Sequence, residues 1–427
     1  MKTIHLPLLL FIITSFEMGT FNVFFGSVVH NTVIASCILI ILFYWAGLTS
    51  KFGKIINVGY FDTKEFRYFS LFLLFSALYF IIHAFAIGPL TSIKYSVYLF
   101  ILFLLLTQTR RKDFDRLCVM YFYLMAFISI AAVVQIILVS ISGVSIYEFD
   151  SIKLIEDKWF RNADYVMPYL LTYASVEENV SFGPLSFVRA IGLSSEPKYF
   201  SVMLWVAYAI SLGWNSFKSK KKLLFIRISL LLGLFFSHAY TSLLIVAFSF
   251  AFYWLLNLRL ISNKIKTIII FFTPILLSLL IVIVVDILFF IISPDSYEAA
   301  RVRSFVYSIG SLNVADIVNF GLLGSNVVRE GGDNIGVTTL EIWFRLGHIG
   351  FILYCIPIMF VIYKSIINFR CLKQNQKYSQ VILLATYIVF YQIFFSQPYT
   401  LLSIFILASI YVRTQSVVGA VPPRRAL

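Results

Sequence analysis

Long apolar runs, each about the length of a membrane-spanning helix and most flanked by basic clusters, dictate what this chain can become. A helix crosses a bilayer with about 20 mostly apolar residues, roughly 17 to 25. By that measure twelve candidate spans emerge, near residues 6–25, 27–48, 68–87, 90–107, 117–141, 197–215, 223–237, 240–257, 267–292, 344–363, 379–396 and 398–412. Inside lipid, backbone polar groups must be satisfied within the segment, so such runs fold as helices. With 60% of its 427 residues apolar and 13% charged, the chain is too rich in Phe, Ile, Leu and Tyr for one soluble core. The expectation is an all-α polytopic membrane protein with about 12 transmembrane helices. One run is awkward. Leu223 to Leu258 is too long for one span and tight for two, and its interruptions Ser237-His238 and Thr241-Ser242 predict two short helices meeting at His238.

The basic residues fix an orientation. Lys2, the groups Lys51 to Arg67, Arg110 to Arg116, Lys218 to Lys222, Arg259 to Lys266 and Lys364 to Lys377, and finally Arg413, Arg424 and Arg425 all fall on one side if both termini are cytoplasmic. Short cytoplasmic loops carry this bias. It accounts for the net charge of +14 without a nucleic-acid partner. An eleven-span count would put the later basic loops on the wrong side. The opposite face receives two long extracytoplasmic loops, residues 142–196 and 293–343. Residues 1–415 then form a single integral membrane domain, and residues 416–427 a flexible cytoplasmic tail. Glu17 interrupts the first run and no small-residue cleavage site follows, which predicts an uncleaved first span. Cys37, Cys118 and Cys355 lie in apolar runs and Cys371 in a basic loop, so no outer disulfide framework is expected. No CxxC or Cys/His cluster points to a metal.

Chemistry concentrates in the stretch RAIGLSSEPKYF, Arg189 to Phe200. Arg189 lies in apolar surroundings, where a cation is costly unless it meets an anion, and its fork suits phosphate oxygens. Glu196 precedes Pro197 at the start of a span. It is either a helix-start acid on the positive helix end or a catalytic carboxylate. Lys198 can snorkel to headgroups. In the second loop Arg301 and Arg303 fit either a pyrophosphate or anionic lipid headgroups, and Arg329, Asp333, Asn334, Glu341, Arg345 and His348 follow. Within spans, Lys94 and Arg227 near helix ends read as snorkelling cations. Asp286 is a partner for Arg301 or Arg303. His238 is either structural or faces the same cavity. The acids and aromatics of Glu148 to Phe182 suit sugar rings, or equally an interfacial belt.

Four short stretches resemble the O-antigen polymerase and ligase superfamily, and within it the polymerase (Wzy-like) branch. These are RAIGLSSEP; FSHAYTSLL at Phe236 to Leu244; Arg303 to Gly324 running into GLLGSN; and DNIGVTTLEIWFRLGHIGFILY from Asp333. Asp333 stands where the ligase type has a His before Asn, which favours polymerase over ligase. The resemblance implies a bacterial inner-membrane enzyme that transfers a growing glycan from undecaprenyl pyrophosphate to a sugar hydroxyl on a new lipid-linked repeat unit. It implies no cofactor and no metal, membrane lipids and an undecaprenyl-pyrophosphate-linked oligosaccharide as partners, and a chain-length regulator protein. Arg189, Arg301 and Arg303 would hold the pyrophosphate. Glu196, or Asp333 as second choice, would act as general base, with Lys198, His238, Asn334 and Arg345 in support. A ligase, or a non-enzymatic lipid-linked oligosaccharide flippase or transporter, is the alternative; the latter would carry its charges deeper in the spans.

Overall fold

The computed structural model describes residues 64–87, 90–108, 111–142, 165–166, 173–182, 185–192, 194, 197–213, 219–273, 276, 338–394 and 400–418. The expected spans near 6–25 and 27–48, most of the span 267–292 and most of both long loops lie outside them. The described helices are α1 Lys64–Ile87, α2 Leu90–Gln108, α3 Arg111–Ser142, α4 Pro197–Gly213, α5 Lys220–Ser237, α6 Tyr240–Asn257, α7 Thr338–Asn368, α8 Gln374–Thr386 and α9 Leu401–Val418. Residues 263–273 are also helical. A 3₁₀ turn, Phe369–Cys371, follows α7, and α8 continues as a π-helical segment, Tyr387–Phe394. Three helical stretches among the described residues are long and apolar enough to cross a membrane: Phe114–Leu138, Tyr240–Asn257 and Leu346–Cys371. At a rise of about 1.5 Å per residue, the first exceeds the roughly 30 Å hydrocarbon core.

The all-α expectation needs one correction. Between α3 and α4 the chain forms a three-stranded antiparallel sheet in the order β1 (Tyr165–Val166), β2 (Tyr173–Phe182), β3 (Leu185–Gly192). Strand β3 has the composition for it, with Phe187, Val188 and Ile191 in eight residues. Its register pairs Phe182 with Leu185, then Ser175 with Arg189 and Ala174 with Ala190, and a bulge lies between Ser175 and Val180.

Packing divides the chain into two compact units. The first holds described residues from 108 to 251 and from 373 to 386. At its centre is α4, flanked by α3, α5, α8 and β3 and buried along most of its length from Phe200 to Gly213. Lipid tails are as apolar as Leu, so helix association here depends on close packing and interhelical hydrogen bonds. Both are present. On α5 the small residues Ser229, Gly233 and Ser237 recur every fourth position and are all buried. Against Gly233 lie Ser129 of α3 and Leu204 of α4: a Cβ there would come within 2.2 Å of Ser129 Oγ and 3.0 Å of Leu204. Ser129 Oγ donates to the Ser229 carbonyl at 2.7 Å. Tyr121 donates to the Met203 carbonyl at 3.1 Å, and Ser379 to that of Ala209.

Arg227, read from the sequence as a snorkelling cation, has partners within the protein. Its Nε donates to Ser211 Oγ at 3.0 Å and its Nη2 to the Ser211 carbonyl at 2.5 Å. The guanidinium thus closes the C-terminal end of α4, where carbonyls lack helical partners.

The second unit holds described residues from 64 to 107, 252 to 372 and 387 to 418. Helix α7 packs on α1, on α9 and on the π-helical segment. One ring cluster joins three helices: Phe69 of α1 stacks on Phe360 of α7 at 4.1 Å, and Tyr411 of α9 lies 6.2 Å from both. Helix α7 is broken at Gly347, where φ is 68° and ψ −173°. That conformation is essentially restricted to glycine. Trp343 Nε1 donates to His348 Nδ1 at 3.0 Å, tying the two sides of the break together.

Candidate functional site

The site is built from β3 and the two helix ends it meets. Strand β3 stops at Gly192, with φ +65°. A Cβ at that position would sit 2.4 Å from the Phe200 ring, so only glycine lets the strand end lie against α4. This gives the Arg-x-x-Gly spacing a physical meaning, because Gly192 seats the strand that carries Arg189. Ser194 then closes a turn, its backbone N–H and its hydroxyl both donating to the Ile191 carbonyl at 3.2 and 2.7 Å. Helix α4 starts at Pro197, a first-turn position that needs no N–H and favours proline's fixed φ.

Arg189 is half-buried. Its Nε donates to the Ser237 carbonyl at 3.4 Å and its Nη2 to the His238 carbonyl at 3.1 Å. These carbonyls end α5. His238 occupies the left-handed conformation at that end (φ 44°, ψ 41°), its N–H donating to the Phe235 carbonyl, and α6 starts two residues later at Tyr240. The expected junction of two short helices at His238 is therefore present, and Arg189 is its cation. Burial lowers the Arg189 pKa, and the charge of the Tyr240 phenol opposes that shift. An arginine so placed keeps its charge at neutral pH.

Beside this junction Ser201 Oγ of α4 and Thr241 Oγ1 of α6 stand 3.4 Å apart, both buried. Ser201 also donates to the Lys198 carbonyl at 2.7 Å. The Lys198 ammonium lies 5.1 Å from the Tyr199 ring centroid. Sequence reading did not single out Ser201. The signal was there in the i, i+3 spacing of Lys198 and Ser201 on the first turn of α4.

Of the expected site residues, the structure brings together Arg189 and the backbone of His238, while Lys198 stands on the first turn of α4, which packs on β3. Arg345 is part of α7. Glu196, Arg301, Arg303, Asp333 and Asn334 lie outside the described residues. Among the described residues no cluster of His, Cys, Asp or Glu could hold a metal ion. The arrangement supplies a charged, geometrically fixed guanidinium at a helix junction. No protein-family model, curated protein or solved structure matches this chain, so a functional reading rests on its own residues.

Proposed function

We propose that this chain is a bacterial surface polysaccharide polymerase of the cytoplasmic (inner) membrane, with both termini in the cytoplasm. In this reading the acceptor hydroxyl of a new lipid-linked repeat unit attacks the anomeric carbon of the growing glycan. The bond from that carbon to undecaprenyl pyrophosphate breaks, and the pyrophosphate leaves with the bonding pair. The hydroxyl proton passes to a carboxylate, Glu196 or else Asp333. Arg189, with Arg301 and Arg303, neutralises the charge that develops on the leaving group.

One observation carries the reading. Arg189, from RAIGLSSEP, is hydrogen-bonded to the carbonyls of Ser237 and His238, from FSHAYTSLL. The two stretches are 48 and 49 residues apart at these bonds, and each separately resembles the polymerase superfamily. Their meeting at one cation is what a shared site requires, and a chance likeness of either stretch would not demand it.

The test is the surface glycan ladder of a strain lacking the gene. Single repeat units in place of long chains are expected. Persistence of long chains overturns the proposal, and loss of every surface repeat points to a flippase instead. Arg189→Ala, checked for membrane level and melting temperature, is expected to reduce polymerisation about a hundredfold or more, the scale of one lost charge-stabilising donor. Normal chain length in that variant removes Arg189 from the mechanism.

A further inference from the structure

At the C-terminal end of α6 two cations converge on one oxygen. Lys266 Nζ donates to the Leu256 carbonyl at 3.2 Å and to the Leu258 carbonyl. Arg370 Nη2 donates to the same Leu258 carbonyl at 3.4 Å. The Lys266 side chain is 1% exposed, so its position is built in by packing. The 3₁₀ turn that carries Arg370 is seated by an edge contact between Phe369 and Tyr253 of α6, with centroids 6.2 Å apart. Ser262 caps the following helical segment, its hydroxyl accepting from the Ile265 N–H at 3.3 Å. Between the two helices the chain exposes Arg259, and Lys264 stands exposed on the next turn.

A helix C-terminus carries roughly half a negative charge. One cation balances it, and here four basic side chains gather around one turn. Among the described residues none of the four pairs with a carboxylate. The surplus positive charge therefore suits an anion from outside the described residues. The surroundings indicate which. Leu260 is 97% exposed, Trp254 67% and Ile265 51%. A soluble phosphate gains nothing from such a rim, whereas a phospholipid places its headgroup on the cations and its glycerol and acyl chains against the apolar side chains.

We propose that the turn Leu258–Ser262, together with Lys264, Lys266 and Arg370, is a binding site for the phosphate headgroup of an anionic phospholipid. Arg370 and Arg259 supply the planar donors that match phosphate oxygens, Lys264 adds a point charge, and buried Lys266 fixes the turn. The site depends on the chain being a membrane protein and not on the polymerase reading.

The test uses the purified full chain in lipid nanodiscs of phosphatidylcholine with increasing phosphatidylglycerol, read by melting temperature. The wild type is expected to melt higher as phosphatidylglycerol rises. Inorganic phosphate added to pure phosphatidylcholine discs is expected to give no shift. In R259Q/K264Q the phosphatidylglycerol fraction giving half the effect is expected to rise about twenty-five-fold, roughly fivefold for each charge removed near the surface. These two side chains are exposed, so this variant reports even if R370Q misfolds. K220Q/K221Q, which removes two exposed charges elsewhere, serves as the control. The proposal is overturned if phosphate alone reproduces the shift, if R259Q/K264Q responds like the wild type, or if the control loses as much.

Discussion

At the residue scale, cations placed in or beside apolar runs serve helix C-termini. Arg227 closes α4, Arg189 closes α5, and Lys266 with Arg370 closes α6. Each supplies donors to carbonyls at a helix end that lack helical partners. Sequence reading singled out Arg189 and Arg227 as cations in apolar runs, assigned Arg227 to the interface, and left Lys266 and Arg370 among the basic loop residues. The reason is physical. Periodicity shows that a cation lies near a span end, but the carbonyl it finds can be 16, 49 or 112 residues away, and no local pattern records that. At the Arg189 cap the acceptor is backbone, so it survives a change of side chain. His238→Gly keeps the carbonyl that Arg189 binds and removes the left-handed penalty, about 1 kcal/mol for a residue with a Cβ. The variant is expected to melt about 1 °C higher than the wild type. A lower melting temperature would show that the imidazole itself holds the junction. A loss of chain length in the folded variant would assign it a part in transfer.

At the scale of elements, the starts and breaks that depend on local chemistry were legible. Pro197 opens α4 and the polar pair Ser237-His238 divides α5 from α6, because a missing N–H and an interrupted apolar run act within a turn. The sheet was not legible. Strand β2, YASVEENVSF, has little apolar alternation, so its own pattern does not announce the pairing with β3. The glycine break at Gly347 sits in a run that otherwise reads as one helix. The packing of α5 was also missed, although its Ser229, Gly233, Ser237 spacing is the small-residue pattern that lets helices approach. This packing has a sharp test. Gly233→Ala drives a methyl into Ser129 Oγ, which is held by its bond to the Ser229 carbonyl. Overpacking of this kind costs about 1–3 kcal/mol. Adding Ser129→Ala removes the atom that would lie at 2.2 Å and leaves the Ser129 Cβ at 3.3 Å, so the double variant is expected to recover most of the lost melting temperature. Equal losses in the single and double variants would mean that α3 and α5 do not approach at Gly233.

At the scale of the whole molecule, the orientation of the chain decides whether the proposed chemistry is reachable. The polymerase proposal places transfer outside the cytoplasm, so it requires Arg189 to face outward while the basic turns face inward. The apolar helices support a membrane protein, and the positive-inside pattern gives the expected direction. The protein carries its own reporter for it. Cys371 is exposed in the 3₁₀ turn beside Arg370, whereas Cys118 and Cys355 are buried. In a Cys37→Ser background, a membrane-impermeant maleimide applied to intact spheroplasts is expected to leave Cys371 unmodified and to label it once the membrane is opened. Cys118 and Cys355 are expected to label only after denaturation. Labelling of Cys371 from the outside would reverse the chain in the membrane and carry Arg189 to the cytoplasmic face. It would remove the polymerase reading, since the donor would then lie across the bilayer from its cation. The proposed lipid site would survive that outcome, because it rests on the chain being a membrane protein and the cluster around Leu258 needs anionic headgroups on only one face.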